Sequence, residues 1–186
     1  MKATEILMDE HRVIERVLST LEAATLAAEQ GKNVCPGFFI EAADFIRGFA
    51  DGCHHRKEEN VLFKTMGAYG VPEQGGPIGV MLSEHERGRE FTRAMRAGAE
   101  KWQAGDETGR LQALQAAQEY VTLLHHHIVK ENNVLFPMAD RLIPLDAHAQ
   151  VFEDFERVEH EETGEGVHEK YLALAEALET EAKSWD

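Results

Sequence analysis

Cysteine is scarce in this chain, with only Cys35 and Cys53 among 186 residues. Two cysteines cannot make a disulfide framework, and a cytoplasmic, reducing setting is expected. Basic residues are also few: 19 Lys and Arg stand against 34 Asp and Glu, for a net charge of -15. A surface of that sign repels phosphate backbones, so nucleic acid is excluded as a partner. No apolar run approaches the ~20 residues needed to cross a bilayer, and no membrane association is expected. The opening stretch MKATEILMDEH lacks the apolar stretch of a secretory signal. Ten histidines contrast with this poverty and call for an explanation.

The prolines are few as well. Pro36, Pro72, Pro77, Pro137 and Pro144 read as punctuation between periodic segments. Between them the apolar residues recur at helical spacing. Examples are Leu7, His11, Ile14, Leu18 and Leu21, then Phe39, Ile46, Ala50, Cys53 and Val61. Ile78, Met81, His85 and Met95 form a third face, and Leu114, Val121, Leu124, Ile128 and Leu135 a fourth. Strand alternation is lacking. The pattern predicts an all-α, up-down four-helix bundle with helices near 3–30, 36–67, 77–103 and 107–136. Two shorter helical patterns follow, separated by Thr163-Gly164-Glu165-Gly166. They present Val151, Phe155 and Val158, then Val167, Tyr171, Leu174 and Leu178. Each is too short to be stable alone and is expected to pack on the bundle. Residues 1–140 thus read as the bundle and 141–186 as an acidic extension. From Leu145 to Asp186 there are 13 acidic residues against 3 basic ones, which fits a solvated face. The same charge could dock a basic redox partner.

The chain also repeats itself. Leu7-Met8-Asp9-Glu10-His11 resembles Met81-Leu82-Ser83-Glu84-His85, 74 residues on. His54-His55-Arg56-Lys57-Glu58-Glu59-Asn60-Val61-Leu62-Phe63 resembles the string from His127 to Phe136, shifted by 73. Each half is a helix with one His followed by a helix with His-x-x-x-Glu. Residues four apart share a helix face, so each half offers two imidazoles and one carboxylate to the bundle interior. A buried Glu is rarely left without a partner. Two metal ions, each taking two His and sharing two bridging Glu, would use every ligand: His11, His54, Glu58, His85, His127 and Glu131. An oxo or hydroxo bridge would complete the core. The mixed donor set suits iron, with manganese as the other candidate; a structural zinc site would favour tetrahedral cysteine ligation.

Helical phase decides between neighbours. His54 follows Ala50 by four and adjoins Cys53 and Val61, whereas His55 shares its face with Gly48, Asp51 and Gly52. His54 is therefore expected inward and His55 outward. Glu59 is expected at the surface or behind the ligands. Among His125, His126 and His127 only His127 has an acid four residues on; His125 reaches the apolar edge and is an additional candidate. Cys53 reads as core packing or a redox-sensitive neighbour. His160 and His168 read as surface residues, with a weaker cation site as the alternative. Tyr69 and Tyr120 either approach the centre or pack.

At these residues the chain resembles the hemerythrin-like family of HHE cation-binding proteins, over roughly residues 1–140. The single His on the first and third helices and the His-x-x-x-Glu on the second and fourth match the family's motif. The strings Glu-Glu-Asn-Val-Leu-Phe and Glu-Asn-Asn-Val-Leu-Phe-Pro strengthen the match. The resemblance implies a four-helix bundle around a non-haem di-iron centre. Oxygen-carrying members have a fifth His in a His-x-x-x-His on the third helix. Here Arg89 stands four after His85 and Met81 four before it. The resemblance therefore points to the four-His branch, which includes di-iron proteins linked to repair of iron–sulfur clusters under nitrosative stress. It implies a centre that binds or reacts with O2, NO or peroxide, for sensing or stress defence. Oxygen binding, NO reduction, peroxidase or catalase-like turnover, and iron donation or storage are the alternatives it leaves.

Overall fold

The computed structural model describes residues 2–164 and 166–185. Its four bundle helices are α1 (Ala3–Glu29), α2 (residues 36–68), α3 (Pro77–Gln103) and α4 (residues 107–142). Two further helices follow, α5 (residues 147–163) and α6 (Val167–Ala182). No strand occurs among the described residues. Their starts follow local chemistry. Pro36 and Pro77 occupy the first helical turn of α2 and α3, where a missing N–H costs no bond. The Asp106 and Asp146 carboxylates accept from the Thr108 and Ala147 amides at the starts of α4 and α5. Gly105 has φ +92° in the tight α3–α4 turn, a left-handed conformation that other residues reach only with strain. Of the expected break after α5, Glu165 lies outside the described residues; Gly164 and Gly166 both have positive φ.

Two helices differ from the sequence reading. Pro137 lies inside α4 rather than after it. The backbone there leaves a π-helical stretch, Glu131–Leu135, in which the Phe136 amide bonds the Glu131 carbonyl. Pro137 follows at this change of hydrogen-bond register, where its lack of an N–H is tolerated. The second difference is in α2, which is π-helical over Ile46–His55 and again over Glu58–Leu62. The two His-x-x-x-Glu repeats thus share a local structure: each Glu opens a five-residue π stretch closed by a Phe amide bonded to its carbonyl.

The interior holds two apolar clusters. One gathers Ile14, Leu18, Phe39, Phe49, Met95 and Leu124. The other gathers Leu7, Leu62, Met66, Ile78, Leu135 and Phe136. The bundle histidines fall in sequence between members of the two: His11 between Leu7 and Ile14, His127 between Leu124 and Leu135. A buried polar layer thereby sits between two dry ones. The C-terminal helices enter both clusters, α5 through Val151 and Phe155 and α6 through Tyr171, Ala175 and Leu178. Gly48 on α2 makes room for α6, since a Cβ there would lie 2.0 Å from the Tyr171 hydroxyl. Gly98 and Gly109 let α3 and α4 touch backbone to backbone; a Cβ on Gly109 would lie 2.5 Å from the Gly98 carbonyl oxygen.

Candidate metal centre

His11, His54, Glu58, His85, His127 and Glu131 come together in the polar layer, each at most 1% exposed. Two groups of ligand atoms, each within 4.8 Å of one another, can be drawn. One is His11, His54, Glu58 and Glu131; the other is His55, Glu58, His85 and His127. The two carboxylates span the groups. Glu58 sets Oε1 3.6 Å from His54 Nε2 and Oε2 3.4 Å from His85 Nε2. Glu131 sets Oε2 3.1 Å from His11 Nε2 and Oε1 3.1 Å from His127 Nε2. Each Glu therefore turns one oxygen to each half.

The imidazoles are aimed by what lies behind them. His54 Nδ1 is 2.9 Å from Glu10, His85 Nδ1 2.8 Å from Glu59, His127 Nδ1 2.9 Å from Glu84, and His11 Nδ1 2.8 Å from the Asn132 side-chain oxygen. An acceptor at Nδ1 holds the N–H there and leaves Nε2 as a lone-pair donor, the arrangement that metal-binding histidines use. Each acid is in turn held by a cation: Lys57 on Glu10, Lys130 on Glu84, Arg89 on Glu59. The repeat reaches this outer layer, since Glu10 and Glu84, Lys57 and Lys130, and Glu59 and Asn132 are equivalent positions. Glu59, expected at the surface or behind the ligands, lies behind His85. Glu10, Glu84, Lys57 and Lys130 were not expected there, although all four stand in the repeated strings. Duplicated charge beside a duplicated ligand was the signal.

His55 is the main correction. It was expected to point away, yet it is 4% exposed and its ring stacks on His85, with centroids 3.8 Å apart and planes at 14°. An α-helix turns by about 100° per residue, which would place His55 outside. The wider π turn over Ile46–His55 advances less per residue, so two neighbouring histidines both face inward. The fold thus buries a fifth imidazole beside the four expected ones. Arg89, at the third-helix position four after His85, donates to Asp51 and Glu59 at 2.8 and 2.7 Å.

Other candidates lie elsewhere. His126 is exposed and His125 half-buried, and neither belongs to the ligand groups. Tyr69 is exposed. Tyr120 is buried, with no hydrogen-bond partner for its hydroxyl, and lines a cavity of about 210 Å³ with His55, Asp51, Gly88, Arg89 and Thr92. Glu10, Cys53, Glu159 and His168 form a third group of metal-ligand type, but the Lys57 ammonium already sits in it, 2.6 Å from both Glu10 and Glu159. Cys53 is a buried thiol there, pushed up to about 12 by burial and then by the Glu10 charge. His160 is exposed.

Burial and the close approach of like groups shape the electrostatics of this set. Burial, then the charge of Glu131, raises the Glu58 carboxyl well above the usual range. Burial acts on Glu131 the same way, but His127 and His11 outweigh it and hold it low. Burial, then His11, pushes His54 down to about 4; burial, then His55, pushes His85 down to about 3. His127 goes the other way, to about 9, because Glu131 and Glu84 outweigh its burial. Nε2 of His11, His54 and His55 and all four oxygens of Glu58 and Glu131 have no hydrogen-bond partner. Buried polar atoms are seldom abandoned in this way, and seven of them facing one another fit a bound cation.

A helical bundle with convergent buried imidazoles and two buried carboxylates carries the donor set of a metal-binding protein. The hemerythrin HHE cation binding domain matches residues 2–139, and the chain belongs to that family. Among relatives, an uncharacterised protein of Mycobacterium tuberculosis is 27% identical over 167 residues, which are 88% of this chain and 63% of the relative. A Mycobacterium bovis protein gives the same figures. An iron-sulfur cluster repair protein, YtfE, of Musicola paradisiaca is 29% identical over 136 residues, 72% of this chain and 60% of the relative. The chain therefore spans under two thirds of the length of these relatives. No solved structure matches it. No helix among the described residues is long and apolar enough to cross a membrane.

Proposed function

We propose that the chain holds two non-haem iron ions, one by His11 and His54 and one by His85 and His127, bridged by Glu58 and Glu131. We further propose that this centre binds or reacts with small oxidants, O2, NO or peroxide, in sensing or stress defence. The observation that carries the reading is the division of each buried carboxylate between the two imidazole groups. One ion would leave half of the donors unused. Two ions offset both carboxylate charges and take up the unpartnered atoms.

Iron in such a site supplies one-electron redox change and open coordination positions for a small ligand. The protein supplies the rest. Glu10, Glu59, Glu84 and Asn132 fix the tautomer and tilt of four imidazoles. The apolar clusters on either side exclude bulk water, which strengthens every charge interaction within. Ligands this deeply buried suit a resident cofactor better than metal cargo in a store or donor. The name of the Musicola relative supports the stress-defence part of the reading.

The test is to mix anaerobic, iron-loaded, reduced protein with O2, NO or hydrogen peroxide and follow the near-ultraviolet absorption. Oxidation or adduct formation with at least one of them is expected. Iron that stays reduced and spectrally unchanged with all three would overturn the reading. Multiple turnovers with NO or peroxide and a reductant would make the protein an enzyme; a stable adduct would make it a sensor or carrier.

A further inference from the structure

We propose that His55 is a fifth imidazole ligand of this centre and makes its two halves unequal; the inference rests on the di-iron reading above. Three observations converge. His55 is buried, and one of its ring nitrogens lies within 4.8 Å of ligand atoms of Glu58, His85 and His127. Its Nε2 has no hydrogen-bond partner, as at His11 and His54. Its Nδ1 lies 3.5 Å from Asp51 Oδ1, and Asp51 is held by Arg89 at 2.8 Å. An acid carrying a cation also stands behind His54, His85 and His127, at hydrogen-bond distance there, whereas His55 Nδ1 faces Asp51 at ion-pair distance without a hydrogen bond. A histidine that merely filled the core would need no acid behind it, and its Nε2 would be expected to find an acceptor.

The repeat shows that His55 is an addition. Its equivalent in the second half of the chain is Ile128, which is buried and apolar, and the equivalent of Asp51 is Leu124. At the six ligand positions the two halves match; at this one they diverge, and the acid behind it diverges with it. The backbone diverges in the same place, since the ten-residue π stretch Ile46–His55 of the first half corresponds to α-helix in the second. The added imidazole and the conformation that turns it inward therefore occur together. One half of the centre is offered three imidazoles, His55, His85 and His127, and the other two, His11 and His54. The half with two keeps more positions for solvent or an added ligand, so the two metals are inequivalent. The added His comes from α2, and Arg89 on α3 anchors the acid behind it.

The cavity of about 210 Å³ beside His55 makes the inference testable by chemical rescue, because it can admit free imidazole. Wild-type protein loaded with cobalt(II) is examined first by proton NMR. Each ligating His with Nδ1–H gives one exchangeable, hyperfine-shifted resonance, and five are expected. His55→Ala should give four, bind the metal pair at least about tenfold more weakly, and regain the fifth signal when imidazole is added. Four signals in the wild type, or a His55→Ala spectrum identical to it, would overturn the inference and leave the di-iron reading intact. Failure of the wild type to take up a pair of metal ions would overturn both.

Discussion

Lys57 offers the sharpest test of how the centre is tied to the rest of the molecule. Its ammonium is 1% exposed and bonds Glu10 Oε1 and Glu159 Oε2, both at 2.6 Å. Glu10 is itself buried, and its other oxygen holds His54 Nδ1. Burial alone would neutralise this lysine, but Glu10 outweighs it and keeps the group charged. Lys57→Met keeps most of the side-chain length and removes the charge, leaving Glu10 without its main counter-ion in a dry site. Breaking a buried ion pair from one side costs about 3–5 kcal/mol, and a chain of this size loses about 2–4 °C per kcal/mol, so a fall of roughly 6–20 °C in Tm is expected. Iron affinity should also fall about 10–100-fold, because the acid that orients His54 has lost its anchor. Thermal melts of iron-loaded and metal-free protein, with a metal titration, measure both. Adding Glu10→Gln to Lys57→Met should recover part of the stability, since it removes the stranded charge, but none of the affinity. Arg12→Ala, which breaks an exposed pair with Asp9, is the control and should leave the midpoint in place. A loss for Lys57→Met below about 1 kcal/mol, the size of a surface pair, would refute the reasoning.

The metal-free protein should melt roughly 5–11 °C below the protein held at metal 100-fold above its Kd, since that excess contributes about 2.7 kcal/mol; equal midpoints by calorimetry would argue for a peripheral site. Acid should also destabilise the metal-free protein. His54 and His85, pushed down to about 4 and about 3, stay neutral in the folded state while the unfolded chain takes up protons near 6.5. Their stabilising contribution is complete above 6.5 and is lost as pH falls through 4 and 3. Glu10 and Glu59, both lowered to about 2 from 4.5, add a loss below 4.5. His127, raised to about 9, contributes below 6.5, and its share is lost as pH rises through 9. Urea unfolding across this range should show a maximum between the acid and alkaline losses, and a flat profile would contradict the assignment. Gly109→Ala should cost about 1–3 kcal/mol by forcing α3 from α4, whereas Gly31→Ala, with open space around it, should cost only its positive φ.

Much of this was legible in the sequence because duplication made weak signals strong. A lone His11 on an apolar stripe says little; the same residue matched by His85, with His54 and Glu58 matched by His127 and Glu131, says a great deal. What stayed hidden depended on backbone geometry. No residue of Ile46-Arg47-Gly48-Phe49-Ala50 announces a π-helix, so helical phase placed His55 outside. Pro137 misled for the same reason, because its usual role as a stop assumes an α-helical ladder. The outer acids and their lysines were visible in the repeated strings, but charged residues next to ligands read more naturally as solvated surface. The ends of α1 and α3 came within one residue of expectation, and Gly31 and Gly105, both with positive φ, stand just beyond them.

The central claim is that two metal ions sit between two bridging carboxylates. Anaerobic titration of the metal-free protein with ferrous iron, with Mössbauer spectra of the saturated sample, tests it most directly. Uptake should end at two iron ions per chain with two distinct sites, and Glu58→Gln and Glu131→Gln should each weaken both sites, since each carboxylate faces both halves. Saturation at a single ion, or loss of only one site in each variant, would contradict the account.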